Sequence, residues 1–444
     1  MSLRGEVIDL DKRFVWHPYT DLDRWEGEEA RLVAASCGGA WITDVDGRRY
    51  LDANGSWWVS SLGHRHPRLI EALTRQAGSL PHVALAGITH EPAARLAAEL
   101  AQVAPGAGTA PSGEQLTRTF FSDDGSTSVE VALKLCAQYW AQNGRPQRTR
   151  FITLSGAFHG ETIGSTSVGG VAEFREVFAP LLFEVVTVPS PAEENGWERA
   201  ISAIEDALRT RGDQIAGVIV EPLLQGASGM QVYEEAFLRR VREATRAADT
   251  FLIADEVFTG LGRTGAMTAC ERAGVVPDVL CLAKALSGGL LPFAATLATT
   301  RIYEGFRGGR ERAFNYGHSY CGNPLGAAVG REVLAVLRDE DVIARVQARA
   351  PKIEAAFREM AETLPGLERP RALGMMGAVD LGDRGYLAAS GWKVYEAALR
   401  RGVVLRPLGS TVYIAPMLTL PDAELDLLLG VVRESIAEVV AARP

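Results

Sequence analysis

Between residues 118 and 284 the sequence alternates short apolar runs with longer amphipathic ones. The run "IAGVIVEPL" (215–223) is nearly continuous apolar, as expected for a parallel strand covered on both faces. Similar runs, predicted to be strands, lie at 118–122, 150–154, 183–190, 250–257 and 278–284. Apolar residues at helical spacing predict helices at 128–142, 197–211 and 235–249. This alternation predicts an α/β protein with a mainly parallel sheet and helices on both faces.

The two ends of the chain do not follow this rhythm. Residues 38–56 alternate around Asp46-Gly47, a pair typical of tight hairpin turns. After residue 330 come predicted helices at 333–364 and 391–401, strands at 375–382, 402–408 and 411–416, and a last helix from Asp422. With 444 residues the chain is long enough for two domains. We expect 1–65 to be the N-terminal segment of a small domain, 66–330 a large domain, and 331–444 the C-terminal part of the small domain.

The charge and the cysteines exclude several classes of function. A net charge of −9 does not favour nucleic acid or an anionic membrane as a partner. No apolar run has membrane-spanning length, and the first residues lack the apolar core of a signal peptide. The five cysteines are scattered without a CxxC pair, which argues against a disulfide framework and against a zinc or other metal site. We therefore expect a reduced, cytoplasmic protein.

One lysine stands in an otherwise apolar run, "VLCLAKALSGG" (279–289). Burying an ammonium group is costly, so a lysine near a strand end usually extends to water. The alternative is that the Lys284 amine is kept neutral or bound covalently. Asp255 follows four apolar residues and precedes Lys284 by 29 positions (284 − 255), one strand–connection–strand unit. Adjacent strand ends would aim both side chains into one cleft, although a lone acid there also suits a cap or an ion pair.

Further polar groups fall at the same predicted sheet edge. Gly125-Ser126-Thr127 stand between a strand and a helix, where backbone N–H groups suit a phosphate as well as an ordinary helix cap. The segment "SGAFHGET" (155–162) adds an aromatic residue and His159, for which a packed core histidine and a chemical role both stay open. Pyridoxal 5′-phosphate needs all of these groups: a lysine for its aldehyde, a carboxylate for its ring nitrogen, an aromatic residue against its ring and a helix N-terminus for its phosphate.

Five motifs, in order along the chain, resemble those of the class III (ω-)aminotransferases of pyridoxal-phosphate fold type I. They are "SGAFHGET", "IVEPLLQGASGM", "LIADEVFTGLGRTG", "LCLAKALSGG" and "GHSYCGNPLGAA". The resemblance runs from about residue 14 to residue 440. It implies a large cofactor-binding domain with a mainly parallel seven-stranded sheet, plus a smaller α+β domain from both termini. It also implies a pyridoxal-phosphate-dependent aminotransferase. An aminomutase on the same fold is an alternative, while the intact Lys284 and Asp255 pair disfavours a non-catalytic binding protein.

The resemblance also implies roles for individual residues. Lys284 would bind the cofactor's aldehyde, and Asp255 would face its ring nitrogen. The other cofactor-binding residues it implies are Gly125 and Ser126 at the phosphate, Phe158 on the ring, and His159, Glu221 and Gln225 near the cofactor. Ser319 would reach the phosphate from the neighbouring subunit, which implies a homodimer with shared active sites.

Other stretches are similar to one branch of this family, the enzymes that aminate 8-amino-7-oxononanoate in biotin synthesis. They are "WHPYT" (16–20), "NGSWWVSSLGHRHP" (54–67), "DGSTSVEVALKLCAQYW" (124–140) and "LRPLGSTVYIAPML" (405–418). The similarity implies small-molecule substrates, with Arg406 on the acceptor's carboxylate and Tyr19, Trp57 and Trp58 lining the pocket. On an extended segment Trp57 and Trp58 would point to opposite faces, so we expect only one of them in the core.

Three positions depart from that branch. Relatives that use S-adenosylmethionine as amino donor commonly carry tyrosine where this chain has Phe158, which keeps the ring and lacks the hydroxyl. S-adenosylmethionine is the expected donor, and a diamine, lysine or ω-amino acid donor, typical of other ω-aminotransferases, stays open. Asp124 replaces a serine beside the phosphate turn, where a carboxylate would repel phosphate unless it points away. Glu161 stands where relatives often have aspartate.

Overall fold

A computed structural model describes residues 2–27, 32–193, 196–382 and 388–442 of the chain. Its centre is a seven-stranded sheet. In spatial order the strands are Leu116–Ser122, Ala294–Thr299, Val279–Leu282, Phe251–Asp255, Ile215–Val220, Arg150–Leu154 and Val186–Val188. Ala294–Thr299 is antiparallel to both neighbours, and every other pairing in the sheet is parallel. The predicted mainly parallel α/β sheet is therefore confirmed.

Alternate residues of the central strands enter two separate cores. Phe251 and Ile253 pack with the helix Gly125–Gln142 on one face of the sheet. Leu252 and Ala254 belong to a second core, on the other face, to which the helices at 196–211 and 235–247 contribute. A strand buried on both faces needs apolar residues at every position, which is why these segments lack a polar alternation.

The helices around the sheet agree in position with the amphipathic segments. The α-helices are Leu3–Phe14, Leu22–Gly27, Pro67–Ala77, Glu91–Val103, Gly125–Gln142, Ile163–Ser167, Ala172–Arg175, Gly196–Arg211, Glu235–Ala247, Ala269–Arg272, Thr300–Glu304, Pro324–Asp339, Val342–Thr363, Ser390–Arg400 and Asp422–Ala441. The segment Gly55–Trp58 forms one further turn, with a left-handed backbone. Short 3₁₀ turns lie at Ser112–Glu114, Glu176–Leu181, Lys284–Ser287 and Arg310–Arg312. In the described part of the chain, every helix is too short or too polar to cross a bilayer.

Three smaller sheets lie outside the central one. The first joins both ends of the chain, and its strands are Ala34–Gly38, Trp41–Asp44, Arg49–Asp52 and Val403–Val404. The predicted hairpin around Gly47 forms its middle pair. The second has the strands Glu368–Ala372, Gly377–Asp380 and Thr411–Ile414, and the third has Leu224–Gln225 and Gln231–Val232. Segments from both termini thus share one sheet, while the domain boundaries at residues 65 and 330 stay predictions.

Two features of the central sheet differ from the sequence reading. The strands predicted at 250–257 and 278–284 end early, at Asp255 and Leu282, because the chain turns away at the sheet edge. The strand Ala294–Thr299 was not predicted, because its alanines and threonines carry a weak apolar signal. Its burial comes from the two strands that flank it, which local sequence does not report.

Candidate active site

A cavity of about 580 Å³ opens at the carboxyl ends of the central strands. Three parts of the chain line it: the N-terminal segment through Tyr19 and 57–59, the strand ends and loops of the central sheet, and Leu408 near the C-terminus. Ligands of open α/β sheets bind at this edge. The geometry of the candidate residues therefore depends on which strands end beside one another.

Lys284 and Asp255 enter the cavity from neighbouring strands. Asp255 is the last residue of its strand and pairs in parallel register with Cys281, three positions before Lys284. The expected juxtaposition of the two strand ends is confirmed. Lys284 itself lies past its strand, at the start of a 3₁₀ turn with a φ of +39°. A left-handed backbone at a non-glycine residue costs on the order of 1–3 kcal/mol and is typical of functional sites.

The Asp255 carboxylate is fixed from two sides. His159 Nδ1 lies 2.7 Å from one carboxylate oxygen, and the Val257 N–H donates to the other at 3.1 Å. Asp255 and His159 are both buried and both line the cavity. The Nε2 atom of His159 is buried and has no partner among the described residues. His159 is therefore both a packed histidine and a cavity residue, so the two readings of it are compatible.

Burial changes the charge balance around Lys284. Desolvation lowers the pKa of the Lys284 amine, against the opposing attraction of Asp255 and Glu221. The amine lies 5.0 Å from the centre of the Trp58 ring. Burial also raises the pKa of Glu221 to about 7, although Glu221 accepts N–H bonds from Phe158 and Gly226. A lysine amine of lowered pKa gives up its proton more readily than an exposed lysine.

The first turn of the helix Gly125–Gln142 presents free N–H groups to the cavity. Asp124 is its N-cap, and its carboxylate accepts the Thr127 N–H at 2.8 Å in a capping box. Within the described part of the chain, the N–H groups of Gly125 and Ser126 have no acceptor. Asp124 thus directs one carboxylate oxygen to its own helix, which weakens the repulsion expected for an anion. A side chain at position 125 would meet the Val257 side chain at 2.7 Å, so a larger residue there would displace Val257.

Aromatic side chains cover the outer wall of the cavity. Phe158 lines it and packs edge-on against Phe174, with ring centres 5.7 Å apart. Tyr19 lies between Phe174 and Trp57 and donates its hydroxyl to Glu161. The sequence reading missed the contribution of Phe174, because a lone phenylalanine in a short helix carries no signal of its own.

Trp57 and Trp58 lie in a left-handed turn and not on the expected extended segment. Ser56, Trp57 and Trp58 have φ values of +46°, +65° and +75°. The expectation that only one tryptophan is in the core is nonetheless confirmed: Trp58 is 5% exposed, while Trp57 stays partly exposed to the cavity. Trp58 donates its indole N–H to the hydroxyl of Tyr413, another contributor that the sequence reading missed.

Arg406 lies against Trp57 rather than in the cavity lining. Its guanidinium carbon is 4.2 Å from the centre of the Trp57 ring. Its backbone N–H donates to the side-chain oxygen of Asn54 at 2.9 Å. No ion pair joins Arg406 to an acidic side chain in residues 2–27, 32–193, 196–382 or 388–442.

Besides Arg406, two further predicted residues lie outside the cavity lining of the single chain. Gln225 is fully buried, accepts a bond from Ser190 and donates to the Ser155 carbonyl, so both ends of its amide have partners within the protein. Ser319 is exposed in the loop before Pro324 and does not line the cavity.

The cavity residues fit pyridoxal phosphate. A lysine with lowered pKa, a buried carboxylate held by two donors, two free N–H groups at a helix start and an aromatic side chain converge on one space. The volume of about 580 Å³ is within the usual range for small-molecule and cofactor sites.

Comparison with known proteins agrees with this geometry. Residues 24–436 match the family model described as aminotransferase class-III. A protein from Synechococcus elongatus named adenosylmethionine-8-amino-7-oxononanoate aminotransferase is 43% identical, covering 96% of this chain and 99% of its own. The crystal structure of the enzyme of that name from Methanocaldococcus jannaschii has a TM-score of 0.91 at 32% identity and covers 98% and 99% of the two chains. A PLP-bound amine transaminase from an uncultivated Pseudomonas species has a TM-score of 0.88 at 30% identity, with coverage of 96% and 99%.

Proposed function

The chain belongs to the class III aminotransferases, and on that premise we propose that it transfers an amino group to 8-amino-7-oxononanoate, giving 7,8-diaminononanoate, with pyridoxal phosphate as cofactor. The observation that carries the proposal is Arg406, stacked on Trp57 beside the cavity without an ion pair to any described residue. An unpaired guanidinium beside an aromatic wall suits a long aliphatic acid, with its carboxylate on the guanidinium and its chain along the rings.

The residues at the strand ends would hold the cofactor. Gly125 and Ser126 offer N–H groups to its phosphate, Phe158 offers a ring face, and Asp255 offers a charge to its ring nitrogen. When bound, pyridoxal phosphate supplies an electron-withdrawing ring that makes the carbon bearing the amino group acidic. Lys284 is the group placed to take up and return that carbon's proton, because burial lowers the pKa of its amine. His159 keeps Asp255 in place by its bond at 2.7 Å.

The acceptor would extend from Lys284 toward Arg406. Trp57 spans that route, since it lines the cavity and also contacts the Arg406 guanidinium. Tyr19 adds an aromatic edge 5.3 Å from Trp57. These contacts support a substrate that is apolar in its middle and anionic at one end, as 8-amino-7-oxononanoate is.

The amino donor is S-adenosylmethionine in the reading that we favour, as in the name of the Synechococcus relative. The second candidate is a general ω-aminotransferase that takes its amino group from lysine or a diamine. Phe158 favours this candidate, because it brings no hydroxyl to the cavity wall. The amine transaminase has the same fold, so the fold alone does not decide between the two amino donors.

A donor screen tests the function. The purified enzyme, loaded with pyridoxal phosphate, is mixed with 8-amino-7-oxononanoate and one donor at a time: S-adenosylmethionine, lysine, a short diamine or an ω-amino acid. Formation of 7,8-diaminononanoate is measured by mass spectrometry. Product with any donor supports the acceptor, and the preferred donor decides between the two candidates. If no donor gives product while another keto acid is aminated, the biotin-pathway function is wrong.

A homodimer with shared active sites and a cytoplasmic location complete the proposal. Ser319 is exposed and lies outside its own chain's cavity, so a partner's cavity is the place where it would bind phosphate. The five free cysteines support a reducing compartment. Mixing a Lys284→Ala chain with a Ser319→Ala chain should regenerate some complete sites, measured as recovered turnover. Full activity in a monomer at high dilution would contradict shared sites.

A further inference from the structure

The turn that carries the two cavity tryptophans is strained along three consecutive residues. Ser56, Trp57 and Trp58 all have left-handed backbones, and none of them is glycine. The turn nevertheless delivers adjacent side chains to different places: Trp57 under Arg406 and Trp58 under the Lys284 amine. Three successive residues keep such a backbone only where surrounding bonds impose it.

Several bonds of this segment converge on one buried carboxylate. Asp52 is 2% exposed. One of its oxygens accepts the Asn54 N–H at 3.1 Å. The other accepts the Ser56 N–H at 2.7 Å, the Ser56 hydroxyl at 3.0 Å and His64 Nε2 at 3.0 Å. A single side chain therefore binds the first residue of the strained turn and the residue two positions before it.

The histidine behind Asp52 is held in turn by a serine. His64 Nδ1 lies 3.3 Å from the Ser60 hydroxyl, so a proton on Nε2 lets the ring donate to Asp52 and accept from Ser60. Ser60 and His64 both lie in the segment that follows the strained turn. Asp52 therefore binds residues on both sides of the two tryptophans, Ser56 before them and His64 after them.

The same turn also fixes Arg406. Asn54 follows Asp52 by two residues, and its side-chain oxygen accepts the Arg406 N–H at 2.9 Å. A change in the position of the Asn54 backbone, which Asp52 binds, would therefore move Arg406 as well as Trp57. The guanidinium and the ring beneath it are positioned by one common support.

We infer that Asp52, backed by His64, is a positioning residue that holds the left-handed turn at 56–58 and so sets Trp57 and Arg406 in register for the acceptor. The inference rests on the proposed function, because it assigns the acceptor to Trp57 and Arg406. Asp52 itself does not line the cavity, so it would contact neither the cofactor nor the acceptor. Its loss should weaken acceptor binding more than it slows the donor half-reaction.

The test compares three variants with the parent holoenzyme. Asp52→Asn keeps the size of the side chain but replaces one of two oxygens, which together accept four bonds, with an NH₂ group that cannot accept. The apparent KM for 8-amino-7-oxononanoate should rise about tenfold, equivalent to about 1.4 kcal/mol, while the rate of the donor half-reaction changes by less than about twofold. Asp44→Asn is the matched control, since Asp44 is equally buried and accepts two turn N–H bonds, from Asp46 and Arg48, away from the cavity. It should lower the melting temperature without moving that KM.

Glycine at position 56 provides a rescue that a general loss of stability would not give. Glycine adopts the left-handed backbone without a steric penalty, so Ser56→Gly in the Asp52→Asn background should return the KM to within about threefold of the parent. Hydrogen exchange of the peptide 54–60, measured without cofactor, should be faster in Asp52→Asn and unchanged in Asp44→Asn. If Asp52→Asn does not fold, His64→Ala with the same glycine rescue provides the comparison.

The outcomes separate the two proposals. A parent enzyme that aminates no 8-amino-7-oxononanoate overturns the proposed function before any variant is compared. If the parent is active, an unchanged KM in Asp52→Asn, an equal KM shift in Asp44→Asn or a lack of glycine rescue overturns the positioning role of Asp52.

Discussion

On the cofactor side of the cavity, Asp255 ends one strand and Lys284 follows the next, and the two strands are hydrogen-bonded neighbours. On the acceptor side, formed by Trp57 and Arg406, the chain is assembled from distant parts: Arg406 binds Asn54, 352 residues away. The cofactor side is supported by regular sheet geometry, and the acceptor side by one strained turn and a few side-chain bonds. In the proposed function, the groups that would hold the cofactor therefore lie on the rigid sheet, and the groups that would select the acceptor lie on parts that local substitutions can move.

The largest expected effect is on the cofactor side, at Lys284. Lys284→Ala should lower turnover by roughly 10⁴-fold or more, because it removes both the covalent anchor and the proton-transferring amine. The visible absorption of the lysine-bound cofactor should disappear while the far-ultraviolet circular dichroism stays that of the parent. The control is Lys352→Ala, because Lys352 is exposed and pairs with Asp426. Its turnover and absorption should match those of the parent. A Lys284→Ala enzyme that keeps the absorption band would refute the assignment.

The next largest effect is expected at Asp255. Asp255→Asn preserves the size of the side chain and removes the negative charge that would face the ring nitrogen. Turnover should fall by roughly 10²–10³-fold, as when one preorganised electrostatic group is lost, while the cofactor remains bound. Cofactor occupancy is measured by absorbance after gel filtration, and turnover in the same sample. Near-parent turnover with full occupancy would show that the charge is dispensable.

The pH dependence of stability would sharpen this comparison, because burying an ionised carboxylate on the cofactor side destabilises the folded state. The pKa of Glu221, which lines the cavity, and that of Glu256, which follows Asp255 in the chain and lies outside the cavity lining, are each raised by burial to about 7, above the ordinary value of 4.5. Between about pH 4.5 and 7 the folded state therefore holds protons that the unfolded chain releases. The stability that these protons contribute is complete below about pH 4.5 and is lost as the pH rises through 7. Each group contributes up to about 3 kcal/mol to that loss.

Glu221→Gln should remove one of the two contributions. The free energy of unfolding, measured with denaturant at several pH values between 5 and 8, should fall less steeply with pH than in the parent. The comparison of slopes is used rather than absolute stability, since the amide also changes the bonds to Phe158 and Gly226. Parallel slopes in the two proteins would mean that Glu221 is ionised throughout this range.

The smallest effect is expected on the acceptor side. Arg406→Ala should raise the apparent KM for 8-amino-7-oxononanoate by roughly ten- to a hundredfold, because a shielded charge-assisted hydrogen bond contributes about 1.5–3 kcal/mol. Cofactor occupancy should not change. Arg400→Ala, at an exposed arginine paired with Glu438, is the control. If the two variants have the same KM, Arg406 does not bind the acceptor.

The sequence was sufficient for the cofactor side because its signals are local. A short apolar run followed by a polar residue predicts a strand end, and strand ends of one parallel sheet share an edge. That reasoning placed Asp255 beside Lys284 and the Gly125 turn at the same cavity, as the structure shows. It failed where a side chain's direction depends on its partners. Asp124 turns a carboxylate oxygen to Thr127, and Gln225 binds Ser190 and Ser155, which no pattern in the sequence indicates.

By itself, the sequence determined the α/β architecture, the family and the residues that meet at the sheet edge. Hydrophobic periodicity and motif order are signals carried by residues that are close in sequence. Only the tertiary structure decided the left-handed backbone of Ser56, Trp57 and Trp58 and the stacking of Arg406 on Trp57. The physical reason is that a strained backbone has no favourable local conformation of its own. Asp52 binds it from four residues away, while Arg406 binds the Asn54 side chain and contacts the Trp57 ring, and these last two contacts form only once both ends of the chain have met.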